Sequence, residues 1–176
     1  MHHIRREDYR SDEELLESLI EEYAESIKKL AFTYVKNWTV AEDLTQETFI
    51  ACYIKLKDFR GDSSYKTWLY KIVINKCKDY TRSKWYKFDI PFDYLKEKLN
   101  SKDKLLDENL IGKEDDFILS QTVLSLPLIY REVIILHFYV DLKIWEIENL
   151  TGIKQETIKT RLRRAKDQLR KKMGGN

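Results

Sequence analysis

Residues 152–169 read GIKQETIKTRLRRAKDQL, and they decide the fold of the C-terminal half. At 100° per residue, Ile158, Leu162, Ala165 and Leu169 fall within about 60° of one another, a narrow apolar stripe. Glu156, Thr160, Arg163, Arg164 and Arg170 take the opposite side, with Lys159 on the flank. From Gly152 to Asn176 nine Lys or Arg stand against two acids, net +7. A solvated helix usually mixes its signs, so one buried face backed by guanidinium points to a polyanion.

Working outward, IWEIENLTGIKQETIKTRL has the form of a helix-turn-helix. Ile147 and Leu150 pack the first helix, Gly152 allows the tight turn, and Ile153, Ile158 and Leu162 seat the second. Many helical hairpins share that outline, and the basic outer face is what favours DNA. Arg and Lys donate to guanine O6 and N7, Gln and Glu address adenine or cytosine edges, and flanking cations neutralise phosphates.

The whole chain has 176 residues, of which 35% are charged, yet its net charge is only +2. The charge is sorted along the chain. Residues 1–58 carry eight basic and thirteen acidic side chains, residues 60–88 eight and two, residues 89–119 five and nine. Two basic blocks separated by an acidic stretch suggest two contacts with one polyanion. Five Gly and two Pro are too few turn residues for an all-β chain. Helical periodicity predicts helices near 12–36, 40–57, 65–85, 116–125, 128–140, 143–150 and 155–172. The expected architecture is all-α: two small helical domains, 12–87 and 115–173, joined by a flexible linker at 88–114.

Cys52 and Cys77 sit in apolar helical patterns without metal-ligand spacing, as reduced packing residues of a cytoplasmic protein would. No apolar run is long enough to span a membrane, and MHHIRREDYR lacks the apolar core of a signal peptide. His137 stands alone among apolar residues, and no carboxylate set converges by motif. Neither a metal, a cofactor nor a catalytic cluster is expected.

The first basic block, FRGDSSYKTWLYKIVINKCKDYTRSKWYKF, interleaves Tyr65, Trp68, Tyr70, Tyr80, Trp85, Tyr86 and Phe88 with eight cations. Rings beside cations suit single-stranded DNA, where unstacked bases stack and cations follow the backbone; core packing is the competing role, for Trp68 above all. Gly61, Asp62, Ser63 and Ser64 form a polar loop able to hold an extruded base or a phosphate. The helix before it, TVAEDLTQETFIACYIKLKDF, has two apolar faces. Ala41, Leu44, Thr48, Ala51, Cys52 and Leu56 make one. Asp43, Gln46, Glu47, Ile50 and Ile54 make the other, either a docking surface or a face covered by the first helix.

With these segments in order, the chain resembles an extracytoplasmic-function (group IV) sigma factor of the sigma-70 family. AEDLTQETFIACY is similar to the family's D-x-x-Q-x-x-F segment. FRGDSSYKTWLYKIVINKCKDYTR is similar to its F-R-G…T-W-L-Y-x-I-x-x-N segment, and LPLIYREVIILHFYVDLKIWEIENLTGIKQETIKTRLRRAKDQL to its C-terminal module. The likeness spans about residues 12 to 172. It implies docking on the largest subunits of core RNA polymerase through Asp43, Gln46, Glu47, Phe49 and Ile50. It implies melted −10 strand contacts from Gly61, Asp62, Ser63, Ser64, Tyr65, Lys66, Trp68, Lys71 and Asn75. The −35 element falls to Gln155, Glu156, Lys159, Thr160, Arg161, Arg163 and Arg164. The linker would thread polymerase near the RNA exit path.

The resemblance also implies an anti-sigma factor, membrane-bound in many cases, with the chain a monomer when free or 1:1 with its regulator. Two positions depart from the pattern. Glu148 replaces a small residue at the helix crossing, where a carboxylate must tilt outward or meet a cation, and Trp145 replaces a polar one. A dimeric helix-turn-helix repressor would explain the C-terminal half but neither the aromatic-basic block nor the Asp43 face. An enzyme acting on nucleic acid would need a reactive cluster that the motifs do not supply.

Overall fold

The computed structural model describes residues 4–83 and 114–174, all of whose regular elements are helical. The chain divides into two compact units, Met1–Ser83 and Lys84–Asn176. The expected linker, 88–114, lies outside the described residues except for Glu114, and so do Trp85, Tyr86 and Phe88.

Three helices build the first unit: α1 Asp12–Val35, α2 Trp38–Lys55 and α3 Tyr65–Arg82. Ser11 caps α1, its hydroxyl accepting from the Glu14 N–H at 3.2 Å, and Asp12, Glu13 and Glu14 complement the positive end of the helix dipole. Lys36 closes α1 in the left-handed region at φ 54°. Asn37 then caps α2 through the Val40 N–H at 3.1 Å, which starts that helix two residues before the expected 40. A 3-10 turn over Leu56–Asp58 ends the second element. Leu15, Leu19, Ile27 and Leu30 of α1, Ala41, Leu44 and Cys52 of α2, and Leu69, Val73, Ile74 and Cys77 of α3 are all buried. Their three- and four-residue spacing is the stripe that a three-helix core requires. Thr45 and Thr48 enter it because each hydroxyl donates to a carbonyl one turn back, Ala41 O and Leu44 O.

The second unit contains α4 Glu114–Leu124, α5 Leu128–Ile134, α6 Ile144–Thr151 and α7 Gln155–Lys172. Buried Arg131 donates through Nη1 to Leu124 O at 3.0 Å and Leu126 O at 2.9 Å, so a cation closes the carbonyl end of α4. The single helix expected over 128–140 is corrected: α5 gives way at Ile135–Tyr139 to a π-helical turn. There the Val140 N–H reaches the Ile135 carbonyl, five residues back, at 3.0 Å. Asp141 follows at φ 60°, and His137 Nδ1 lies 2.8 Å from Leu142 O, fastening the turn to the chain that leaves it. Val133, Leu136, Val140, Ile147, Leu150, Ile158, Leu162 and Ala165 form the core.

Candidate nucleic-acid interface

In the second unit, α6 and α7 meet through Gly152, whose φ of 74° is a left-handed turn that a side chain would strain. Thr151 tightens the turn, donating to Ile147 O at 2.7 Å and accepting from the Ile153 N–H at 3.2 Å. Ile158 and Ala165 are fully buried and Leu162 nearly so, which leaves Glu156, Lys159, Thr160, Arg163 and Arg164 exposed together. Arg161 is half-buried. It lines an open concavity of about 440 Å³ with Ile129, Tyr130, Glu156, Thr157, Thr160 and Arg164. Ile129 and Tyr130 join the concavity from α5, a neighbour in space that the pattern of α7 could not reveal.

Glu148 is held by an amide donor. Half-buried, it accepts from Gln155 Nε2 at 2.6 Å and from the Gln155 backbone N–H at 3.4 Å. The residue at the helix start is Lys154, whose ammonium cannot accept a hydrogen bond, so the carboxylate of α6 caps α7 from outside. The position that departs from the pattern is satisfied by an amide donor rather than by a cation. Trp145 is exposed, 52% accessible.

In the first unit, Gly61 turns at φ 76° and Asp62 and Ser63 stand in solvent. Ser64 is committed locally: it caps α3 through the Thr67 N–H at 3.2 Å and lies 3.0 Å from Thr67 Oγ1. Trp68, Lys71 and Asn75 follow Ser64 at helical spacing on one face, with Lys71 and Asn75 exposed and Trp68 half-buried. Lys66 lies over the Tyr70 ring at 5.7 Å. Tyr65 has another role from the one expected, since it is buried and stacked on Phe59 at 4.4 Å. Trp68 leans on the same Phe59, ring centroids 4.9 Å apart, so it is part core and part surface.

On α2, Asp43, Gln46 and Glu47 are exposed. Glu47 meets Lys76 at 2.9 Å, a surface pair of small energetic weight. Ile50 and Ile54 are 61% and 70% accessible, so α1 does not cover them. Phe49 faces the other way and is buried, so its ring belongs to the core and is not presented to a partner. Tyr53 borders the patch, its hydroxyl donating to Glu13 Oε1 at 2.8 Å.

The family model for sigma-70 region 2 matches residues 19–86, and that for sigma-70 region 4 matches residues 116–169. The RNA polymerase sigma factor SigV of Bacillus subtilis (strain 168) is 35% identical over 154 residues, covering 86% of both chains. The chain belongs to the sigma-70 family, in its extracytoplasmic-function group. The ECF RNA polymerase sigma-E factor of Escherichia coli (strain K12) is 30% identical over 93% of this sigma factor and 89% of its own length. A solved sigma factor RpoE from Bartonella quintana, in complex with the anti-sigma factor NepR, shares its fold. It has a TM-score of 0.67 at 22% identity, over 90% of this chain and 96% of that one. CnrH, in complex with the cytosolic domain of CnrY, does so at 0.65 and 21%, over 92% and 89%. As a sigma factor, the protein binds core RNA polymerase and promoter DNA and serves transcription initiation. Among the described residues no helix is long and apolar enough to cross a membrane.

Proposed function

We propose that this sigma factor divides promoter recognition between its two units, with polymerase docking on α2. The observation that carries this reading is the presence, in order on one chain, of region 2 at residues 19–86 and region 4 at residues 116–169. Lys159, Thr160, Arg163 and Arg164 enter the major groove of the −35 element, with Ile158 and Leu162 anchoring the helix behind them. The loop Gly61–Ser64 and the face made by Trp68, Lys71 and Asn75 receive the melted −10 strand. There Trp68 offers the exposed part of its ring for stacking, and Lys66 and Lys71 follow the backbone. Asp43, Gln46 and Glu47 surround Ile50 and Ile54 to make the docking patch for the largest subunits of core polymerase, an apolar centre with a polar rim.

The domain boundaries in this reading are 12–87 and 115–173, with 88–114 as the linker. The factor acts by binding rather than by chemistry of its own, and it works in the cytoplasm, where polymerase is. One similar solved sigma factor is bound to an anti-sigma factor, which supports an anti-sigma factor as its partner here too.

Run-off transcription with purified core polymerase tests the function. Specific initiation that requires this chain supports it. Tight promoter binding that is indifferent to core would instead support a helix-turn-helix repressor.

A further inference from the structure

The N-terminal residues of a recognition helix are those nearest the base edges, and its free N–H groups are a natural seat for a DNA phosphate. In this chain both resources are engaged at the first helical residue, Gln155. Glu148 occupies the start of α7 with a carboxylate: it holds the Gln155 side-chain amide at 2.6 Å and the Gln155 backbone N–H at 3.4 Å. Lys154, the residue before the helix, supplies no side-chain cap that would make this contact redundant. The next residue, Glu156, is drawn to Lys159 at 2.6 Å.

Resting on the −35 reading above, we propose that Glu148 is a specificity-determining residue of the promoter interface, acting through Gln155. It turns the Gln155 carboxamide back toward α6 and away from the bases. It also places a negative charge where a phosphate would otherwise sit. Base reading therefore begins a turn later, at Lys159 and Thr160, and the helix start is kept off the DNA backbone.

Charge and positioning separate in two variants. Glu148→Gln keeps an oxygen that can accept from Gln155 but removes the repulsion. Glu148→Ala removes both. The measurement is promoter binding by holoenzyme over a −35 substitution series at several salt concentrations, with a thermal melt of each variant. Glu148→Gln is expected to steepen the salt dependence by about one phosphate contact without altering base preference. Glu148→Ala is expected to steepen it equally and to gain discrimination at one outer base pair of the element. Adding Gln155→Ala should abolish that gained discrimination and leave the steeper slope.

A carboxylate that merely caps the helix would give another result, and that result overturns the proposal: lower affinity, an unchanged slope and no new preference in either variant. If Glu148→Ala does not fold, the slope of Glu148→Gln decides alone. Arg164→Ala in the same series keeps the two readings apart. Loss of −35 preference there, with no effect at Glu148, refutes only the role of Glu148, whereas intact preference in both Arg164→Ala and Lys159→Ala refutes the −35 assignment beneath it.

Discussion

Ile50→Ala and Ile54→Ala probe the docking patch with magnitudes set by exposure. The two side chains are 61% and 70% accessible in the free factor, so that fraction of each remains to be buried by a partner. Truncation to Ala removes three carbons, worth about 2.4 kcal/mol when fully transferred from water, and roughly 1.5 kcal/mol at these exposures. Each substitution should therefore weaken core binding about tenfold, and the pair about a hundredfold. Neither should cost stability. Ala is a better helix former than Ile, and exposed positions away from caps and cores move the folding free energy by less than about 0.5 kcal/mol. Phe49→Ala, one residue away, is the contrasting case. Its ring is only 7% accessible, and its loss should cost about 3 to 5 kcal/mol of stability. Fluorescence anisotropy of labelled factor titrated with core polymerase, alongside denaturant melts, measures both quantities. Unchanged core affinity in the double variant refutes the patch, and so does a loss of affinity matched by an equal loss of stability.

Ser64→Ala should cost about 1 kcal/mol through the lost cap of α3, and slow promoter opening more than initial binding. A template with a pre-melted −10 bubble should recover most of that rate if the loop serves the single strand. Arg164→Ala should flatten preference among −35 variants by roughly 1 to 3 kcal/mol, while Lys171→Ala lowers binding uniformly and reduces the salt slope by about one. Footprint titrations at several salt concentrations distinguish the two. Burial pushes the thiols of Cys52 and Cys77 up to about 12 from an ordinary value of 9.0. Folded thiols thus stay neutral where unfolded ones ionise, so stability is full below pH 9 and falls as pH climbs toward 12. Alkylation at pH 8 should proceed only at the rate of unfolding, and fast labelling of native protein would contradict this burial.

The helices and the helix-turn-helix were legible because apolar spacing is a strong signal. Ile158, Leu162 and Ala165 repeat at the helical period, and all three are buried. What periodicity could not carry was any feature set by a neighbour in space. Ile50 and Phe49 are adjacent apolar residues, and only the packing of the neighbouring helices decides which is covered. The π-turn at Ile135–Tyr139 depends on a shifted hydrogen bond that leaves no mark on composition. Glu148 looked costly at a helix crossing because its partner, Gln155, lies across a turn in the next helix. Ser64 could be named from its loop, but its capping role needed the Thr67 N–H to be located.

Strand opening by both units acting with polymerase is measured most directly by permanganate reactivity of promoter thymines. Purified factor and core polymerase would be mixed with duplex promoter, separately and together. Thymines of the −10 element should become reactive only with both proteins present, and Trp68→Ala should reduce that signal while protection at −35 persists. Protection at −35 that is equal with and without core, with no thymine becoming reactive, would contradict it.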